Sequence, residues 1–163
     1  MAERPLWAPW RIEYITADKD GGCIFCAAAA GQEEHARWIV DRGKRCFTIL
    51  NAFPYASGHL MVAPVRHVGE LEQLEEAESN ELLALARRAV AALRSAISPH
   101  GFNVGLNLGE VAGAGIADHL HLHVVPRWQG DNNFMPVLSD TRVIPQALEA
   151  TREALVEALA GHS

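Results

Sequence analysis

The chain has only three cysteines, an odd number, and a short N-terminal stretch without an apolar core. Odd cysteine usage in a chain with no secretion signal fits a reducing compartment better than a disulfide framework. Around Glu3, Pro5, Trp7, Pro9 and Trp10 nothing reads as the apolar core of a signal peptide. No apolar run approaches the roughly 20 residues that a membrane span needs, so a membrane partner is not expected and a cytoplasmic location is. Lysine and arginine form no cluster, and the net charge is −6. That balance argues against a nucleic-acid groove. It leaves a nucleotide open, because backbone amides and imidazoles can meet a few phosphates. The chain also lacks internal repeats, low-complexity tracts and linkers. With 163 residues, 49% of them hydrophobic, it is expected to fold as a single domain, 1–163, around a core of its own.

Against these absences stands one dense stretch, Asp118-His119-Leu120-His121-Leu122-His123-Val124-Val125-Pro126-Arg127-Trp128. From His119 to Val124 polar and aliphatic residues alternate, which predicts a β-strand carrying three imidazoles on one face. Imidazole serves as nucleophile, acid, base or metal ligand. Two chemistries can use such a row: a metal held by histidines, or covalent catalysis with neighbours orienting the middle ring. Upstream lies a glycine-rich loop, Asn107-Leu108-Gly109-Glu110-Val111-Ala112-Gly113-Ala114-Gly115-Ile116. Glycines let backbone N–H groups approach an anion closely. Loop and row together suggest a phosphate delivered to an imidazole.

The run His119-Leu-His121-Leu-His123-Val-Val resembles the His-φ-His-φ-His-φ-φ motif of the histidine-triad nucleotide hydrolases and transferases. The segment from Asn51 through Pro54, Gly58, His59, Pro64 and Arg66 to His67 looks like that family's substrate-side strand pair. Leu6–Arg11 and Pro126–Phe134 are similar to its bacterial diadenosine tetraphosphate phosphorylase branch.

Taken in order, residues 1–16 read as a docking arm that buries Trp7 and Trp10. Cys23-Ile24-Phe25-Cys26 is a C-x-x-C pair expected on a tight turn. Two thiolates so spaced can share a metal, and the redox alternative usually sits between a strand and a helix. The residues 36–41 and 46–51 predict two strands joined across Arg42-Gly43-Lys44. Cys46, on an apolar strand, is expected to be buried and inert. The strand from His59 to Val65 follows a loop punctuated by Pro54 and Gly58. His59 is read either as a satisfied core histidine or as a substrate-side residue. From Glu70 the period changes, and Leu82, Ala86, Val90, Leu93 and Ile97 mark a helix of about six turns. Its charges are read as a solvated face, and Pro99 and Gly101 stop it. Residues 101–108 predict the next strand. Leu148, Leu155 and Leu159 predict a shorter C-terminal helix with Pro145 in its first turn. The order implies an α+β fold with an antiparallel sheet. The resemblance implies the same thing: a HIT-like, five-stranded antiparallel sheet with one long helix and a C-terminal helix.

The resemblance further implies that His121 attacks the α-phosphorus of an adenosine polyphosphate such as diadenosine tetraphosphate, forming a nucleotidyl-histidine. His119 and His123 flank it. Asn107, the amides near Gly113 and Gly115, and His123 are the candidate donors to the phosphate. Asn51 matches the position that binds the ribose hydroxyls. Trp128 either stacks on a second base or caps the strand end. Zinc-carrying members imply a structural zinc on Cys23, Cys26, His67 and His119, and the family implies a homodimer. One departure is Gly115-Ile116 where many members carry a glutamine or serine donor. Water, phosphate and a second nucleotide therefore all stay open as acceptor. Two rivals remain. One is a nucleotide-binding module with little turnover; the other is a hydrolase with all three histidines on one catalytic zinc.

Overall fold

The computed structural model describes residues 22–131 and 147–161. The expected N-terminal arm, Asn133, Phe134 and Pro145 lie outside the described residues. The elements are α1 (Ile24–Ala29), α2 (Glu33–Ala36), β1 (Ile39–Arg42), β2 (Cys46–Leu50), β3 (Leu60–Pro64), α3 (Glu76–Ile97), β4 (Gly101–Leu106), β5 (Leu122–Arg127) and α4 (Leu148–Ala160). Single 3₁₀ turns at Leu71–Gln73 and Glu110–Ala112 punctuate the connections. The strands form one five-stranded sheet in the order β1-β2-β3-β5-β4. Every neighbouring pair is antiparallel. The expected α+β architecture, with one long and one C-terminal helix, is the one observed.

Strand register assigns the two faces. Leu50 pairs with Leu60, and Leu60 with Val124; Thr48 pairs with Val62, and Val62 with Leu122. These residues share a face with Cys46, whose thiol meets the Glu78 carbonyl of α3 at 3.5 Å. The opposite face carries Phe47, Ile49, Met61 and His123, since Ile49 pairs with Met61 and Met61 with His123. So α3 covers one face, and the histidines look out from the other. Leu82, Leu85, Ala86, Ala89 and Leu93 are the buried stripe of α3. Burying each leucine is worth about 1.5–3 kcal/mol. Gly58, at φ +77°, passes beneath the end of this helix. A Cβ there would lie 2.8 Å from Leu93 and Ile97.

Two expectations need correction. The helix charges are not all a solvated face. Glu78 is 3% exposed, accepts from the Glu75 backbone N–H at 2.9 Å and from Arg66 at 3.0 and 2.7 Å. Glu81 reaches the hairpin, accepting from the N–H groups of Arg45 and Cys46. The histidine strand also starts later than its alternation predicts. Ladder pairing begins at Leu122, not His119. The reason is that β3 ends at Pro64, whose carbonyl takes the His119 side chain at 2.9 Å, while the Leu120 N–H turns to Val68 O at 2.7 Å. Gly69 makes this crossing possible, because a Cβ there would meet Ala117 O at 3.0 Å. Among the described residues no helix is long and apolar enough to cross a membrane.

Candidate active site and metal centre

The three histidines of the row face three different partners. His119 is fully buried. Its Nε2–H donates to Pro64 O, so its Nδ1 carries the lone pair. That nitrogen lies 3.2 Å from Cys23 Sγ and 3.6 Å from Cys26 Sγ. His121 donates its Nδ1–H to the carbonyl of His119 at 2.8 Å. A carbonyl can only accept, so the Nε2 of His121 is the bare nitrogen. His123 turns its Nδ1 to His59 Nε2 at 2.8 Å. Phe25 of α1 fixes the row from outside, its ring centroid 5.1 Å from that of His119 and 4.9 Å from that of His121. Burial lowers the pKa of all three rings. It is the main cause for each, and it brings His123 down to about 4 with a second contribution from His121.

At the start of the row the ligand atoms of Cys23, Cys26, His67 and His119 converge within 4.8 Å of one another. Cys23 caps α1 and Cys26 lies in its first turn, so the pair sits at a helix start rather than on an isolated turn. The nearest sulfur–nitrogen separations are 3.2 Å from Cys23 to His119 and from Cys26 to His67. A tetrahedral zinc with Zn–S near 2.3 Å and Zn–N near 2.0–2.1 Å has S···N edges of roughly 3.5 Å. The donor set, two sulfurs and two imidazole nitrogens, therefore fits a closed zinc site. Burial, then the neighbouring Cys23 sulfur, push the Cys26 thiol up to about 11, so a cation between the two sulfurs is what would hold both as thiolates. His67 turns its other nitrogen toward Asp118, 3.7 Å away, the usual arrangement behind a metal-bound imidazole. Cys46 stands apart on the α3 face, fully buried, its thiol pushed up to about 12 mainly by burial.

The other expected site residues divide. Asn51 and His59 are brought against the row. Asn51 Nδ2 donates to His59 Nδ1 at 3.2 Å, and its Oδ1 accepts from the Phe53 N–H. Asn107 directly follows Leu106, the last β4 residue paired with β5 and opposite Leu122, so it leaves the sheet beside the row. Gly113, at φ +91°, spends its N–H on Glu110 O at 2.9 Å. Its amide closes the 3₁₀ turn. Among the described residues the amides of Gly109 and Gly115 have no such partner. Trp128 is not brought to the row. It follows the far end of β5, roughly 20 Å along the strand from Leu122, and its N–H bonds Asp131. Phe25 and Tyr55, which pack directly on the histidine rings, were not singled out from the sequence as ring contacts. The aromatic between the two cysteines was the available signal for the first.

Known proteins resemble this arrangement. A HIT domain model matches residues 32–130. An AP-4-A phosphorylase of Mycobacterium tuberculosis is 44% identical over 158 residues, covering 92% of this chain and 81% of that protein. A Zn-bound histidine triad family protein from Mycobacterium smegmatis, solved by crystallography, is 31% identical with a TM-score of 0.70, over 86% of this chain and 95% of its own. A histidine triad nucleotide-binding protein from Sulfolobus tokodaii shares the fold at a TM-score of 0.71 and 23% identity, over 85% of this chain and 93% of its own. With the family model spanning more than half its length, the chain belongs to the histidine-triad (HIT) family.

Proposed function

We propose that this protein is a nucleotide phosphorylase that splits diadenosine tetraphosphate with inorganic phosphate through an adenylyl-histidine. The observation that carries the reading is the complementary pair of nitrogens in the row. His121 Nδ1–H is committed to His119 O, so Nε2 offers a lone pair, and the neighbouring His123 ring, 4.9 Å away between centroids, has an Nε2 with no hydrogen-bond partner among the described residues. His121 Nε2 attacks the α-phosphorus, a P–N bond forms, and the P–O bond to the triphosphate chain breaks, releasing ATP. Phosphate then attacks the same phosphorus, the P–N bond breaks, and ADP leaves with His121 restored. Asn107, the Gly115 amide and His123 bind the nonbridging oxygens, where charge accumulates. Asn51 lies near the ribose, and the second base extends outward.

The similarity to the M. tuberculosis AP-4-A phosphorylase supports phosphate as acceptor over water. Incubation with diadenosine tetraphosphate, with and without phosphate, tests it. ADP and ATP formed only with phosphate is the expected result, and AMP formed without phosphate would mean a hydrolase. We further infer that the Cys23, Cys26, His67 and His119 site holds one structural zinc, since its four donors and spacing suit that ion. The protein acts as a homodimer, with the exposed edge strand β4 and α3 as the joining elements. Val104 and Leu83 there are 50% and 58% exposed.

A further inference from the structure

Gly105 sits inside β4, opposite His123 of β5. A glycine within a strand gives up side-chain packing and costs backbone entropy, and nothing in the fold requires this one. Its φ is not positive, and a Cβ built there meets no atom within 4 Å. A strand glycine with open space above it marks a place where a ligand approaches the backbone. Register decides which side that space is on. Val104 pairs with Val124 and Leu106 with Leu122, on the α3 face, so Asn103 and Gly105 lie on the histidine face. Both are exposed, and they stand roughly 6.8 Å apart along the strand.

Asn103 is oriented from one end. Arg127, opposite Gly101, donates from Nη1 to Asn103 Oδ1 at 2.8 Å. Its Nε and Nη2 meet the Asp131 carboxylate at 2.6 and 2.8 Å. A guanidinium can only donate, so the carboxamide oxygen is the end turned toward Arg127 and Gly101. Nδ2 is left for the Gly105 side, without a partner among the described residues. The charged donor on Oδ1 polarises the amide and strengthens its N–H groups as donors. Sheet order supplies a direction across this face. Asn51 follows β2, the histidine row leads into β5, and Gly105 lies on β4, in the order β2-β3-β5-β4.

We propose that Gly105 and Asn103 form the subsite for the phosphates beyond the scissile bond, the triphosphate of the departing ATP. With the ribose at Asn51 and the α-phosphate at His121, the chain runs on to β4, roughly 4.8 Å past His123. Gly105 gives it room against the backbone, and Asn103 Nδ2 donates to its nonbridging oxygens. Arg127 is a positioning residue, which turns Asn103 without touching the chain. Recognition thereby includes the length of the phosphate chain, because a nucleotide that ends at its α-phosphate does not reach Asn103. The identity of the chain rests on the phosphorylase reading, but the open floor and the oriented donor do not.

Isothermal titration of the full chain with ATP and with AMP tests this, alongside steady-state kinetics with diadenosine tetraphosphate and phosphate. Wild type should bind ATP at least about tenfold more tightly than AMP, the scale of one hydrogen bond to a charged group. Gly105→Ala crowds nothing in the fold and should melt at or above the wild-type temperature. It should lose about tenfold in ATP affinity and in kcat/KM, with AMP affinity held within about twofold. Asn103→Asp keeps an acceptor for Arg127 but sets a negative charge in place of the donor. It should fold as wild type and lose more than about tenfold in ATP affinity. If Asn103 served only to hold Arg127, aspartate would serve as well and ATP affinity would stay. ATP bound as in wild type by either folded variant overturns the proposal. Equal wild-type affinities for ATP and AMP overturn it too, as does an equal loss of both in the variants. Should one variant fail to fold, the other decides. If the ATP preference and its loss are found but no phosphorolysis occurs, the functional reading fails while the subsite stands.

Discussion

At the site, one atom's environment decides each role. His121 donates through Nδ1 to its own chain two residues back, so on the proposed reading removing its ring removes the nucleophile and leaves Asn51 and the loop amides proposed to bind nucleotide. His121→Ala should lose all measurable phosphorolysis while nucleotide still binds, as isothermal titration would show. His123→Ala should keep a rate about 10²–10³-fold below wild type, the scale of one positioned donor. Labelled substrate should leave AMP on His121 alone; label on His119 or His123 would refute the assignment. His123 also makes a pH prediction. Burial, and then His121, hold it at about 4 in the folded state against 6.5 as its ordinary value. Between those values the unfolded chain binds a proton that the folded chain does not, so stability rises with pH across the window and is lost as pH falls from 6.5 to 4. Removing that group should lessen the loss between pH 7 and pH 5 by about 2 kcal/mol. Denaturant melts of wild type and His123→Gln at the two pH values measure the difference. Residue types were legible in the sequence at this scale, since three imidazoles in alternation announce a site. A neutral nucleophile's need for an acceptor called for a backbone carbonyl at His121 Nδ1, as found, but which group each ring meets was not legible. Alternation says which side a ring faces, while the partners, Pro64 O, His119 O and His59, come from chain crossings that no local pattern encodes.

At the scale of elements, the long helix was readable because its stripe repeats every three or four residues over 22 residues. Its stop was readable too. Ser98 closes it in the left-handed conformation, φ 46°, just before Pro99. What the pattern hid was the work of its acidic start. Glu78 fixes the Glu75 N–H and receives Arg66 from the turn after β3, which holds it below the usual carboxylate range chiefly through the Arg66 hydrogen bonds. A helical wheel cannot show this, because Arg66 belongs to a different element. Glu78→Ala removes the acceptor of the Glu75 N–H at the helix start and frees Arg66, so we expect a loss of about 2 kcal/mol. Calorimetry should place its melting temperature about 4–8 °C below wild type; an unchanged value would return Glu78 to the solvated face that the sequence suggested. The start of β5 was misread for a related reason. Hydrophobic alternation continues through His119-Leu120-His121, but pairing does not, because β3 has already ended at Pro64.

On the scale of the whole molecule, one histidine joins two centres. His119 offers Nδ1 to the cysteines and its own carbonyl to His121, and Phe25, between the two cysteines, packs on both rings. A metal held between α1, His67 and His119 would therefore also fix the residue whose carbonyl sets the tautomer of His121. The C-x-x-C spacing made a metal thinkable from sequence. The histidine ligands, 41 and 96 residues away from their cysteine partners, came only from family resemblance. Protein purified without added metal should carry close to one zinc per chain by atomic emission. In Cys23→Ser the zinc should fall severalfold, because a neutral hydroxyl replaces a thiolate ligand, and the melting temperature should drop with it, since binding energy at such a site is folding energy. His121 should then show a mixture of tautomers, because its acceptor carbonyl rides on an untethered His119. Zinc retained in Cys23→Ser, or wild-type protein with Cys23 and Cys26 joined as a disulfide, would remove the metal from this account. Zinc lost with an unchanged His121 tautomer would instead separate the two centres, leaving Phe25 and Pro64 as sufficient supports of the row.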